Sequence, residues 1–159
     1  MASPIPSDRI AFLSGRLYAA LQAEVYDGLP ARGFGDIRPA HSAVLRNLPE
    51  EGARPGVLAE RALMTKQSMA ALIEDLARLG YVSVGPHPAD GRARLVVPTP
   101  AGLDAQGALA ALSRRAEARL EDRLGAAGLE SLRGLLGDAV AAMSEAGETN
   151  AHAALMRRG

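Results

Sequence analysis

The sequence contains no cysteine, and aromatic side chains make up only 3% of it. The missing thiol excludes disulfides, thiolate metal sites, cysteine nucleophiles and thiol-based peroxide sensing, and it fits a reducing compartment. With so few aromatic rings, the core must be built mainly from Leu, Val and Ala. Long hydrophobic runs are absent too. No segment approaches the ~18 consecutive apolar residues of a membrane span, and residues 1–6 lack the basic run and apolar stretch of a leader. The expected location is therefore the cytoplasm, with no membrane partner. Net charge is zero, so composition carries no nucleic-acid signal. Residues 54–94 hold six cations against four acids, a small excess that a solvated surface also produces.

Signatures of catalysis are missing as well. The three histidines, His41, His87 and His152, are scattered and form no spacing that would put metal ligands on one helix face. No glycine-rich phosphate loop or nucleophile elbow occurs, and Glu50-Glu51 and Glu74-Asp75 read as solvated acids. No catalytic residue, metal site or cofactor is expected.

The 159 residues, 48% hydrophobic and 23% charged, suit one folded domain. Its most informative stretch is residues 64–80. Met69, Leu72, Ile73, Leu76 and Leu79 recur at helical spacing, while Lys66, Gln67 and Ser68 crowd the start. Thr65 is suited to cap this helix and Gly80 to stop it. An ordinary amphipathic core helix would look the same, and the flanking segments decide between the readings.

Residues 1–6 are expected to be loosely ordered, with Ser7 or Asp8 capping a first helix whose stripe is Ile10, Leu13, Leu17, Leu21 and Val25. Phe12 and Tyr18 lie off that stripe, which suggests burial against a second chain. Pro39 opens a short second helix with Val44, Leu45 and Leu48, and Pro55 opens a third with Val57, Leu58, Ala62 and Leu63. The third leads directly into the Thr65 helix, the layout of a helix-turn-helix. The period then changes: Tyr81 to Val84 reads as a strand, Gly85 to Gly91 as a loop too long for a tight turn, and Arg92 to Val97 as a return strand. Thr99-Pro100 starts a long Leu-rich helix that Gly125 to Gly128 breaks. A last helix runs to about Glu145, and a frayed tail follows from Gly147. The two long helices either pack against copies of themselves in a symmetric dimer or cap the small domain within one chain.

With these elements placed, the sequence resembles the multiple-antibiotic-resistance regulator (MarR) family of bacterial transcription factors. The resemblance rests on Leu-Ala-Glu-Arg (58–61), Met-Thr-Lys-Gln-Ser-Met (64–69), Leu-Ala-Arg-Leu-Gly-Tyr-Val (76–82), Pro-Ala-Asp-Gly-Arg-Ala-Arg (88–94) and Thr-Pro-Ala-Gly (99–102). It implies a mainly α fold with a small antiparallel β-hairpin: a winged helix-turn-helix lobe (38–98) between dimerisation helices (7–29 and 100–146), with a flexible tail (147–159), all in one domain. It implies a homodimer on double-stranded DNA, a repressor released from a pseudo-palindromic operator by a small aromatic or anionic ligand. By motif position Thr65, Lys66, Gln67 and Ser68 would meet the major groove, Gln67 an adenine and Lys66 a phosphate. Asp90 would hold a neighbouring arginine, Arg92 would enter the minor groove and Arg94 would contact the backbone. A ligand crevice would draw on Leu17, Leu21, His41, Leu45 and the first half of the fifth helix, with His41 either its polar group or plain packing.

The chain departs from the family pattern at several positions. Ala71 and Asp75 stand where cations are common, Leu63 stands where the turn commonly has glycine, and Gly91 takes the place of one wing arginine. Leu63 either stores left-handed strain or indicates a different turn, and together the departures point to reduced electrostatic binding. They leave open a second reading, in which the same fold serves mainly as a ligand-binding or protein-interaction module with weak DNA affinity.

Overall fold

The computed structural model describes residues 9–156, without the side chains of Arg92 and of residues 145–156. The expected cap at Ser7 or Asp8 thus lies outside the described residues. The chain divides after Ala116 into two units.

The first unit begins with α1 (Ile10–Gly28). Only Val25 of its expected stripe is buried, whereas Ile10 is 75% exposed and Leu13, Phe12 and Tyr18 are also uncovered. The expectation of a buried stripe therefore fails within a single chain. A 3-10 turn at Pro39–His41 leads into α2 (Ser42–Leu45), and Pro55 occupies the first turn of α3 (Pro55–Arg61), where its missing N–H costs no hydrogen bond. The next helix is α4 (Lys66–Arg78).

Both α3 and α4 end in the same way. After α3, the Leu63 N–H donates to Glu60 O and the Met64 N–H to Ala59 O; after α4, the Gly80 N–H donates to Ala77 O and the Tyr81 N–H to Leu76 O. This paired closure is the Schellman motif, which puts the first residue of each pair in the left-handed region. Gly80 has φ 86° and Leu63 φ 53°. The strained alternative for the turn at Leu63 is the one adopted.

The hairpin consists of β1 (Val82–His87) and β2 (Asp90–Pro98), antiparallel, with Val84 opposite Val96 and Pro86 opposite Arg94. The long loop expected at 85–91 is not there. Gly85 and Pro86 are paired strand residues, and the register shifts between Pro86 and His87, so that His87 meets Asp90. Both strands of a two-stranded sheet are edge strands, where a proline is tolerated despite its missing donor. Ala53 adds an antiparallel bridge to Val96, with 2.9 Å bonds in both directions.

Thr99 joins the hairpin to α5 (Pro100–Met156). Its hydroxyl donates to Gly80 O at 2.6 Å and accepts from the Gly102 N–H at 3.1 Å, capping the helix while tying it to the end of α4. Val25 and Leu29 form one core with Val44, Leu45, Leu58, Met69, Ile73, Leu76, Val96, Leu109 and Leu112. As expected, that core is aliphatic.

In the second unit, the run of α5 is interrupted at Gly125, whose φ of 71° and ψ of 163° are non-helical. The chain folds back there. Arg133 Nη2 reaches Glu117 Oε2 at 3.0 Å, although sixteen residues of straight helix would span about 24 Å. The break is narrower than Gly125–Gly128, and helix continues to Met156, past the expected stop near Glu145 and through most of the tail expected to fray. Leu135, Leu136, Val140 and Met143 remain exposed.

Candidate nucleic-acid interface

The first turn of α4 is built by Thr65. Its hydroxyl oxygen accepts from the Ser68 N–H at 3.1 Å and its hydroxyl proton goes to Ser68 Oγ at 2.9 Å. The cap satisfies one of the helix's unpaired N–H groups and holds two hydroxyls side by side. Met69, Ile73 and Leu76 anchor the opposite face in the core, so Thr65, Lys66, Gln67 and Ser68 are all exposed at the end whose partial positive charge favours phosphate.

The hairpin stands beside this helix. Arg94 of β2, exposed, lines a cleft of about 400 Å³ with Pro55, Ala70, Ile73, Glu74, Ala77 and Val84. Asp90 Oδ2 lies 3.6 Å from Nη2 of Arg54, the residue before α3. The wing is thus linked by charge to the start of the helix-turn-helix. The side chain of Arg92, expected in the minor groove, lies outside the described residues.

Asp75 does not behave as a solvated acid. Its side chain is 14% exposed and receives three donors: the Arg38 and Arg78 guanidiniums, and His41 Nε2 at 2.9 Å. His41 is fully buried, and its Nδ1 accepts the Arg38 backbone N–H at 3.1 Å. The imidazole is therefore held as the neutral Nε2–H tautomer. Burial, aided by the charges of Arg38 and Arg78 against that of Asp36, lowers its pKa. Nearby, the Tyr81 hydroxyl donates to Asp36 Oδ1 at 2.6 Å, and burial with that carboxylate pushes the phenol up to about 12.

A second cleft, of about 420 Å³, opens between α2 and the first part of α5. Leu45, Arg46, Leu48, Gln106, Leu109, Ala110 and Ser113 line it. Gln106 donates to Leu45 O and Leu48 O at 2.8 and 2.7 Å, satisfying carbonyls at the end of α2. Arg46 and Ser113 supply a cation and a hydroxyl to walls that are otherwise mostly apolar.

Residues 36–93, which hold the helix-turn-helix and most of the wing, match the model of the MarR family. An HTH-type transcriptional regulator of Mycobacterium tuberculosis (strain CDC 1551 / Oshkosh) is 41% identical over 63 residues, 39% of this chain and 44% of the relative. Over this segment the chain is similar to the MarR family. Because that match spans less than half of the mycobacterial relative, it speaks for the lobe rather than for the whole protein. A probable transcriptional regulator from Pseudomonas aeruginosa has a TM-score of 0.70 at 27% identity, over 83% of this chain and 97% of the other. BpsR of Bordetella bronchiseptica, whose DNA binding is regulated by 6-hydroxynicotinic acid, shares the fold with a TM-score of 0.70 at 19% identity, over 87% and 98%.

In this chain the residues expected to meet DNA are brought together in part. Thr65 to Ser68 form one exposed turn, and Arg94 and Asp90 lie in the neighbouring hairpin. The expected ligand residues are scattered. Leu45 lines the cleft beside α2, but Leu17 and Leu21 lie half-buried on α1 and His41 is turned to α4. Of the two readings of His41, crevice group or packing, its full burial and its bond to Asp75 of α4 favour packing. Arg38, Arg54, Arg78 and Arg46 were missed, whereas Gln106 falls in the part of the fifth helix expected at the crevice. Arg78 alone had a local signal, three residues beyond Asp75 on one helix.

Proposed function

We propose that this chain is a transcriptional repressor that binds a pseudo-palindromic operator as a homodimer and leaves it when a small anionic or aromatic molecule occupies the cleft beside α2. The observation that carries the reading is the Thr65-capped turn. It presents two hydroxyls, an amide and an ammonium from a helix whose other face is locked in the core. Gln67 offers the paired donor and acceptor that suit adenine, while Lys66 and Arg94 suit phosphates. Arg92, by motif position, is the wing's minor-groove residue.

Dimerisation is supported by the uncovered apolar side chains of α1 and, separately, by those at 135–143 of α5. Two copies would set their α4 helices about one DNA turn apart, roughly 34 Å between half-site centres. The ligand reading rests on Arg46 and Ser113 in the apolar cleft, and the regulation of BpsR by an aromatic acid provides a precedent.

Gel shift with the DNA upstream of the protein's own gene, at two salt concentrations, tests the proposal. Specific retardation that weakens with salt is expected. No specific retardation even at low salt would overturn it and favour a ligand-binding or interaction module, the reading that exposed Ala71 and zero net charge suggest.

A further inference from the structure

His41 and Asp75 join the two parts of the lobe that a regulator has to connect. His41 closes the turn that opens α2, and α2 with its following residues lines the cleft through Leu45, Arg46 and Leu48. Asp75 lies on α4, ten residues beyond Thr65. Their 2.9 Å hydrogen bond spans 34 residues of sequence, and its imidazole is buried. Both ring nitrogens are engaged: Nδ1 accepts from the Arg38 N–H, which leaves the Nε2 proton for Asp75. The charged and titratable groups facing the ring are Asp36 and Arg38 from the segment before α2, and Asp75 and Arg78 from α4. A second proton on the ring would have to occupy Nδ1, where the backbone N–H now points.

We propose that His41 and Asp75 are positioning residues, a latch that holds α4 in its reading position against α2 and carries a displacement of α2 at the cleft into the Thr65 turn. This rests on the DNA-binding reading above, and goes beyond it by assigning the route from cleft to reading turn. The latch also reverses the sign of Asp75's effect. An acid facing DNA weakens binding, so removing it should tighten the complex; an acid that positions the helix should loosen the complex when it is lost.

The test uses the full chain with Asp75→Leu, Asp75→Asn and His41→Gln. Operator affinity is measured against salt and against pH, alongside melting temperature and oligomeric state. With Asp75→Leu, affinity measured well below the melting transition is expected to fall about tenfold, with salt slope and oligomeric state close to wild type and a lower melting temperature from the unpaired buried Nε2–H. Asp75→Asn, which keeps an acceptor for the Nε2–H, should retain most of the affinity. On acidification from pH 7.5 to 5.0 the wild type should lose more affinity than His41→Gln, and comparing the two removes the contribution of His87 in the wing. Tighter or unchanged binding by Asp75→Leu, or coincident pH profiles, overturns the latch.

If the wild type binds no DNA, the function proposal fails and amide resonances of the free protein judge the latch. Lys66, Gln67 and Ser68 should shift in Asp75→Leu. They should also shift together with Arg38 when the wild type, but not His41→Gln, is acidified. Unmoved resonances at 66–68 overturn it.

Discussion

Leu63 is expected to be better replaced by glycine, although it is a leucine at the centre of the helix-turn-helix. It occupies the left-handed position of the closure after α3, with φ 53°, where α4 uses Gly80. That conformation costs a side chain about 1–2 kcal/mol through contact between Cβ and the backbone. Leu63 recovers little of it by burial, being 94% exposed. Glycine removes the strain but gives the unfolded chain more freedom, worth about 0.5–1 kcal/mol. Leu63→Gly should therefore stabilise by about 0.5–1 kcal/mol, a rise in melting temperature of roughly 1–4 °C for a chain of this size. Urea and thermal unfolding at one fixed protein concentration provide the assay, because dimerisation would otherwise move the midpoint. Leu63→Ala keeps the strained Cβ and should stay within about 0.5 kcal/mol of wild type. Leu63→Val, branched at Cβ, should be worse than either. A destabilised Leu63→Gly would refute the reasoning, since it would mean that the leucine side chain is covered in the assembled protein.

Four further outcomes follow from the same geometry. Thr65→Ala should cost about 1 kcal/mol of stability through the lost cap, with Thr65→Ser restoring most of it; Gln67→Ala should change base preference in an operator selection while leaving the salt slope intact. Since the pKa of His41 is lowered on folding, the unfolded chain binds the extra proton more readily than the folded one. Stability is thus complete above the ordinary histidine value of about 6.5 and is lost as pH falls through the lowered folded value. The urea midpoint should drop between pH 7.5 and 5.0, and by less in His41→Gln. Leu13→Arg should shift the chain towards monomer in sedimentation and weaken operator binding with it, because it places a charge on the uncovered face of α1.

What could be read from the sequence was decided by neighbours along the chain. Thr65, Pro55, Gly80 and Thr99-Pro100 are local signals, because a cap or a missing N–H acts within one turn, and each marks the helix end expected of it. The alternation of β1 was harder to see. Gly85 and Pro86 carry turn chemistry, but pairing with Leu95 and Arg94 decides their conformation, and that pairing is a tertiary fact. The position of His41 was hidden for the same reason. Its partner lies 34 residues away, and nothing in the periodicity of α4 distinguishes an acid turned towards a buried imidazole from one in water. The stripe on α1 was legible as apolar, but the single chain leaves most of it uncovered.

The charge on α4 therefore has to be counted by partners and not by residue type. Asp75 is held by two guanidiniums that remain 63% and 72% exposed, so this cluster presents two cations over one shielded anion and is net positive towards solvent. Glu74 is the exposed acid of α4, and it lies on the wall of the cleft that Arg94 also lines. Neither acid is in the Thr65 to Ser68 turn, where Lys66 adds its charge to the helix N-terminus. A zero net charge for the whole chain is compatible with that local field, because exposed charges more than about 10 Å apart are largely screened from one another at 0.1 M salt. On the proposed function, the affinity of the lobe for a phosphate backbone would depend on the few cations within that distance of the turn and the wing, and not on the balance of the remaining residues.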